Sequence, residues 1–384
     1  MRHPLVLTLV IYIAGLGAAG QFAKLAVSFL ALAEVYPDQE TTLGLTISVI
    51  SLMGVLFGLV AGMVVNRIGP RHALIIGLFL GAATSLWQAG LPALPVMIAS
   101  RVLEGASQLL IVVAAPTLIA DQAGERFRPA ALTLWSTFFG VAFALMALIA
   151  PSVIAFGGLS ILIAGHGVWM GVAGLMCVVA LPRSEPAVSE SLPLKSILQR
   201  HATAYATPGI ATPAFAWLCY TLTFVSILTS LPLVTNGQAP VWLAPLAPLL
   251  SIAVALTIGI ALLSRLPALR VVLIGFAGCF GAAVCIAMFG FSAVTILVLF
   301  AAMALVQGSG FAIVPQLNAD ADSRALANGA LAQMGNLGNL TGTPILIALY
   351  QGAPLWGPVL FLGAAYAAGG IVTWAIGKRA MRVA

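Results

Sequence analysis

Lys24, Arg101 and Glu104 are ionisable residues set deep within long apolar runs. A charge at mid-bilayer is costly unless paired or hydrated, so such residues face a bundle interior or a water-filled cavity. Lys24 lies ten residues before Glu34, and Glu104 nine after Pro95. At helical rise this places both about 14 to 15 Å from the outer ends of their segments, deep enough to meet near the midplane. Gln21, Lys24 and Ser28 share one helical stripe, and Arg101, Glu104 and Gln108 share another. Two cations and one carboxylate leave a formal +1, which suits a monoanion or a zwitterion, and Glu104 is also a candidate for proton exchange. The competing account is a structural ion pair that touches no substrate.

The second half of the chain contributes different chemistry. Trp217, Tyr220, Thr221 and Phe224 fall on one stripe, and Gln307 stands where the first half has Glu104. Such a wall would contact an apolar part of a ligand and offer hydroxyl or amide hydrogen bonds, although aromatic stripes more often pack than bind. Gln333, Asn336 and Asn339 are polar enough to require an interior setting. Neither Cys177, Cys219, Cys279 and Cys285 nor His3, His72, His166 and His201 have metal-ligand spacing. His166 reads as a satisfied core residue. No phosphate-binding Gly-Lys motif or partnered nucleophile is present, which argues against an enzyme, and no cofactor is expected.

The elements that must carry these side chains are membrane helices. Of 384 residues, 61% are hydrophobic and 7% charged, against about 25% charged in soluble domains. That composition excludes disorder, collagen, a disulfide scaffold and nucleic-acid binding. Apolar segments are expected at 5–33, 42–65, 73–89, 94–120, 130–155, 159–181, 209–234, 241–263, 271–290, 293–316, 327–350 and 356–376. In hydrocarbon, segments of this length satisfy their backbone groups only as helices. Apolar sequence continuing to Ala33 favours a retained first helix over a cleaved signal.

Arg2, Arg67, Arg71, Arg126, Arg128, Arg183, Lys195, Arg200, Arg265, Arg270, Arg324, Lys378, Arg379 and Arg382 fall on one side of this arrangement, and Glu34, Asp38 and Glu40 on the other. Cytoplasmic loops retain positive charge, so both termini are expected in the cytoplasm, in a multi-pass protein of the inner membrane. The net charge of +6 is then a topology signal, with weak attraction to anionic lipid as a by-product. The polar stretch at 182–208 divides the spans six and six, giving an amino-terminal bundle at 1–181, a cytoplasmic linker and a carboxy-terminal bundle at 209–384.

An offset of about 200 residues recovers internal similarity, the trace of a duplicated transporter. Glu104-Gly105-Ala106-Ser107 falls beside Gln307-Gly308-Ser309-Gly310, Arg67 beside Arg265, and Asp121 beside Asp320. In the loop after the second segment, Gly62, Asn66, Arg67, Gly69, Pro70 and Arg71 follow a Gly-x-x-x-Asp-Arg-x-Gly-Arg-Arg/Lys pattern, with Asn66 in place of the acid and Pro70 in place of the first basic residue. Arg101 and Gly105 supply an Arg with Gly four residues on. With these motifs the chain resembles the major facilitator superfamily along essentially its whole length.

The resemblance implies twelve helices in two pseudo-symmetric bundles, with the first, fourth, seventh and tenth lining a central cavity. It makes Gly62, Asn66, Arg67, Gly69 and Arg71 a cytoplasmic gating loop, in which Asn66 supplies no charge. It also implies that the second and eleventh spans, with strips at Gly54, Gly58 and Gly62 and at Gly335, Gly338 and Gly342, meet across the seam between halves. The family's antiporter signature in the fifth span is poorly met, only Gly140 and Ala150-Pro151 being suggestive, which tilts the expectation toward import. The expected protein is a monomeric alternating-access transporter that couples import of a small organic anion or zwitterion to protons. Lys24, Arg101, Glu104, Gln21, Gln108, Trp217, Tyr220, Gln307 and Asn336 are its candidate binding and coupling residues. The alternative is a proton-driven efflux antiporter for amphipathic compounds.

Overall fold

The computed structural model describes the backbone at residues 4–37, 39–182 and 194–383, and every element among them is helical. Arg2, His3, Asp38 and residues 183–193 of the expected linker at 182–208, Arg183 among them, lie outside the described residues, as do the side chains of Glu40, Asn66, Arg126, Lys195, Arg200 and Arg382, while the rest of that linker carries a helix at Leu194–Ala206.

The first half contains α1 (Pro4–Ala26), α2 (Phe29–Val35), α3 (Glu40–Ser48), α4 (Leu52–Phe57), α5 (Ala61–Ile68), α6 (Pro70–Gln88), α7 (Leu94–Gln122), α8 (Gly124–Ser136) and α9 (Phe138–Ala180). The second contains α10 (Leu194–Ala206), α11 (Pro208–Val234), α12 (Leu243–Val254), α13 (Ile260–Leu263), α14 (Ala268–Phe289), α15 (Ala293–Leu317), α16 (Ala321–Gly352) and α17 (Trp356–Val383). Among the described residues, eight helical stretches are long and apolar enough to cross a membrane, one of them running from α12 through a π turn at Ala255–Gly259 into α13.

The differences from the twelve expected segments have local causes. Segment 130–155 begins on α8, and its remainder shares the 43-residue α9 with segment 159–181; α9 turns at Gly157 and Gly158, and Gly158 has φ 78°, a conformation that favours glycine. The second segment is interrupted by a 3-10 turn at Val49–Ser51 and by a break between α4 and α5, so no continuous helix runs from 42 to 65. The first stops at Ala26 and resumes at Phe29. α6 begins at Pro70, whose fixed φ and missing N–H suit the first helical position, after Gly69 with φ 89°. Pro70 is therefore a helix start. α16 carries Gln333, Asn336 and Asn339 and is not among the eight. Its first turn is capped by Asp320, which accepts from Ser323 N at 2.8 Å and Ser323 Oγ at 2.6 Å; these bonds hold the carboxyl below its ordinary pKa.

The chain forms two compact units. In the first, comprising Met1–Met53 and Val60–Ser191, α1 packs on α7 and α9, and α6 packs on the same two helices. Ile11, Ala14, Leu74, Leu78, Ile111 and Met170 occupy the centre. Water does not drive helix association inside a bilayer, so close approach of small residues matters more. A Cβ on Gly105 of α7 would stand 2.1 Å from the carbonyl oxygen of Ile50, and one on Gly77 of α6 would stand 2.9 Å from that of Ser107. The start of α6 is tied to the end of α9 by Arg71, whose Nη2 and Nε donate to the carbonyls of Val178 at 2.9 Å and Leu181 at 3.1 Å. A cation is favourable at those last carbonyls of a helix.

The second unit comprises Gly54–Leu59 and Leu192–Ala384, with α11 packed on α15, α16 and α17. Here the glycine strip of α16 departs from expectation. Gly335, Gly338 and Gly342 face α11: their added Cβ atoms would meet Trp217 at 2.5 Å, Thr221 Oγ1 at 2.1 Å and the Leu222 carbonyl oxygen at 2.0 Å. Gly54 instead meets the side chain of Asn336, and Gly58 the backbone of Gln333. No glycine-to-glycine seam forms from these two strips, because the small face of α16 is consumed in bringing α11 close. Gly342→Ala, whose methyl would collide with fixed backbone, is expected to lower stability by about 1–3 kcal/mol. The thermal midpoint of purified protein should fall, while Gly352→Ala, with nothing within 4 Å, should leave it unchanged.

Candidate functional site

α1 and α7 bring Lys24, Arg101 and Glu104 together in the first unit, each 0% exposed. Lys24 Nζ lies 2.5 Å from Glu104 Oε1, and Arg101, one turn before Glu104 on α7, pairs with Oε2. This i, i+3 spacing lets a single helix present cation and carboxylate side by side.

The surrounding groups complete a closed network. Lys24 Nζ also donates to Ser85 Oγ at 2.7 Å and to Gln88 Oε1 at 3.2 Å, so its three protons are all used. Glu104 Oε1 accepts from Lys24 and Ser85, and Oε2 from Gln88 and Arg101, which fills the acceptor sites of a carboxylate. Arg101 Nε donates to the Thr46 carbonyl at 2.6 Å and Nη2 to the Gln21 carbonyl at 2.7 Å. With its bond to Glu104, Arg101 has spent three of five N–H groups. Ser100 Oγ accepts from Gln88 Nε2 at 2.9 Å, bracing the amide that serves both Lys24 and Glu104.

Gln21 sits at the edge of this network. Its Nε2 donates to Ser107 Oγ at 2.9 Å, while its Oε1 is buried without a hydrogen-bond partner. The cluster therefore combines a formal +1, unspent guanidinium N–H groups and one open acceptor. Gln108 is buried one turn beyond Glu104, outside the bonded set.

Sequence reading missed four contributors. Ser85 and Gln88 lie one turn apart near the end of α6, and Ser100 lies on α7. His166, on the second arm of α9, approaches Ser85 Oγ with Nδ1 at 3.0 Å and the Gly17 carbonyl with Nε2 at 2.9 Å. The i, i+3 pair Ser85 and Gln88 was the available signal, set in an otherwise apolar run.

The candidates of the second unit are brought together only in part. Trp217 stacks on Tyr220 with ring centroids 4.8 Å apart and meets Phe311 edge-on at 4.8 Å. Trp217 also lies against Gly310 and Gly335, so its indole is a packing element between α15 and α16. Gln307 Oε1 accepts from Ser251 Oγ at 3.2 Å, and Asn336 Nδ2 donates to the Ala332 carbonyl of its own helix at 2.9 Å. Most of the expected gating loop is helical: Arg67 lies in the last turn of α5 and is exposed, Gly69 joins α5 to α6, and Arg71 lies in the first turn of α6, both buried.

A family model described as the Major Facilitator Superfamily matches residues 7–343, a stretch that contains every member of the charge cluster. No curated protein matches the chain.

Proposed function

Because the chain belongs to the major facilitator superfamily, we propose that it is a secondary active transporter that imports a small organic anion or zwitterion together with protons. The observation that carries this reading is the buried cluster of Lys24, Arg101 and Glu104, whose charges sum to +1 inside an apolar unit. An uncompensated charge in low dielectric is costly, and an arriving anion relieves that cost. The unspent N–H groups of Arg101 suit a carboxylate or sulfonate. The open Gln21 Oε1 suits the ammonium of a zwitterion.

In the proposed cycle the chain has six-span bundles at 1–181 and 209–384 joined by a cytoplasmic linker at 182–208, in an inner-membrane monomer with both termini in the cytoplasm. Access alternates between the two sides. The network of Lys24 and Glu104 is sealed in the present conformation, and substrate enters when α1 and α7 separate. Tyr220, Gln307 and Asn336 of the second unit are further substrate contacts in this reading, with Trp217 supporting Tyr220. The loop at Gly62, Asn66, Arg67, Gly69 and Arg71 gates the cytoplasmic side.

Proteoliposomes with an imposed pH gradient test this reading. Benzenesulfonate is a permanent monoanion, phenylalanine a zwitterion and tetraphenylphosphonium an amphipathic cation, so the three probes separate the substrate classes. Electroneutral proton symport should accumulate benzenesulfonate about tenfold per pH unit, because one unit is worth about 1.4 kcal/mol. Accumulation that ignores the gradient removes proton coupling. Gradient-driven expulsion of tetraphenylphosphonium without anion uptake would establish the efflux reading instead.

A further inference from the structure

The second span is broken between Phe57 and Ala61, and the backbone bonds around the break are redistributed. Gly58 N still donates to the Gly54 carbonyl at 2.8 Å, and the helix resumes where the Val60 carbonyl accepts from Met63 N at 3.0 Å. The Val55 carbonyl, whose partner in a continuous helix is the N–H of Leu59, is met instead from another helix, by Gln333 Nε2 of α16. In hydrocarbon an unmet backbone group is costly, so a broken helix persists only while another part of the protein supplies the missing partner.

That donor is held in one orientation. A carbonyl can only accept, so the Gln333 nitrogen faces Val55 and the amide oxygen faces away. The oxygen accepts from the Tyr205 hydroxyl at 2.6 Å, and the second N–H of the amide points to His201 Nε2 at 3.3 Å. Tyr205 and His201 lie one turn apart on α10, inside the expected linker. α10 is itself seated on α16: Ala204 is buried with Ala327, Ala330 and Leu331, and Tyr205 and Leu59 pack against the same cluster.

One stripe of α16 meets the broken segment in antiparallel order. Gly329 faces Leu59, Gln333 faces Gly58 and Val55, and Asn336 faces Gly54. All of these residues belong to the second unit, whereas the chain before Gly54 and after Leu59 belongs to the first. The piece of the second span that Gln333 holds is thus bounded by the 3-10 turn at Val49–Ser51 on one side and by the break on the other.

We infer that the break is one state of a two-state element, and that Tyr205 of the linker helix holds it in that state by positioning the Gln333 amide. In the other state Gln333 withdraws, the Val55 carbonyl takes the N–H of Leu59, and α4 and α5 join into one helix from Leu52 to Ile68. Only hydrogen bonds are exchanged. α5 carries Gly62, Asn66 and Arg67 of the proposed gating loop, so joining it to α4 re-aims that loop, and movement of the linker reaches the gate through one side chain. The inference rests on the alternating-access reading above and adds the element that changes shape.

The test reads backbone hydrogen exchange across residues 57–61 of the full-length protein in detergent, beside counterflow of benzenesulfonate or phenylalanine in proteoliposomes. Wild type is compared with Tyr205→Phe, which removes one hydroxyl, and Gln333→Leu, which keeps the side-chain shape and removes the donor. Both variants should slow exchange of this stretch roughly two- to tenfold, the effect of one net backbone hydrogen bond. Both should also slow counterflow by about threefold or more, because the population shifts away from the broken state. Unchanged or faster exchange in folded Tyr205→Phe overturns the inference, and that variant decides alone if Gln333→Leu does not fold. Slowed exchange with counterflow equal to wild type overturns it as well, since the change of shape would then have no part in transport. A wild type that exchanges neither probe defeats the transport reading, and the hydrogen-exchange comparison still decides whether the break has two states.

Discussion

Glu104→Ala is expected to destabilise the protein by about 3–5 kcal/mol, the range for breaking a buried ion pair by removing one partner. Among the described residues Glu104 is the carboxylate paired with both Lys24 and Arg101, and all three are 0% exposed. Removing it leaves two cations facing each other in an apolar unit. It also strands the donors of Ser85 and Gln88, which point at the lost oxygens at 2.9 and 3.0 Å. Glu104→Gln preserves the shape and an acceptor oxygen, so its cost should be smaller than that of Ala. Thermal unfolding of the purified variants orders the three proteins. Equal midpoints for wild type and Glu104→Ala would mean that the network contributes nothing to stability.

Lys24→Met separates binding from folding, because it keeps an unbranched side chain only one atom shorter and removes its charge. Glu104 remains neutralised by Arg101 and hydrogen bonded to Gln88 and Ser85. The cluster falls from +1 to neutral, and its structural core persists. If the positive charge holds substrate, losing a charge-assisted bond worth about 1.5–3 kcal/mol should lower benzenesulfonate uptake roughly 10- to 150-fold in protein that still melts as one unit. The purely structural account predicts the opposite division, with folded protein lost and specific uptake by the remainder unchanged.

The parts of this arrangement legible in the sequence are those set by depth and helical phase. Counting residues from the membrane ends put Lys24 and Glu104 at one level, and the structure joins them at 2.5 Å. Arg101 follows from its spacing on the same helix. Ser85, Gln88 and His166 were harder, because an isolated polar residue in an apolar run states its depth and not the neighbour it faces. His166 reaches the cluster only because α9 turns at Gly157 and Gly158 and brings its second arm back against α1. A hydropathy profile records the length of an apolar run and is blind to such a turn.

Glycine spacing was similarly ambiguous. Gly335, Gly338 and Gly342 announced a close helix contact correctly, but periodicity does not name the partner, which proved to be α11. The second segment looked continuous because its hydropathy is high throughout, while the helix breaks between Phe57 and Ala61. Trp217 and Tyr220 shared the predicted stripe and do stack. Helical phase alone could not tell that Trp217 is wedged against Gly310 and Gly335.

Equilibrium binding of radiolabelled benzenesulfonate to purified wild-type and Lys24→Met protein, with melting curves recorded on the same samples, addresses the central claim most directly. The account predicts saturable binding to the wild type and at least tenfold weaker binding to a variant that is still folded. Equal affinity in the two folded proteins would contradict it.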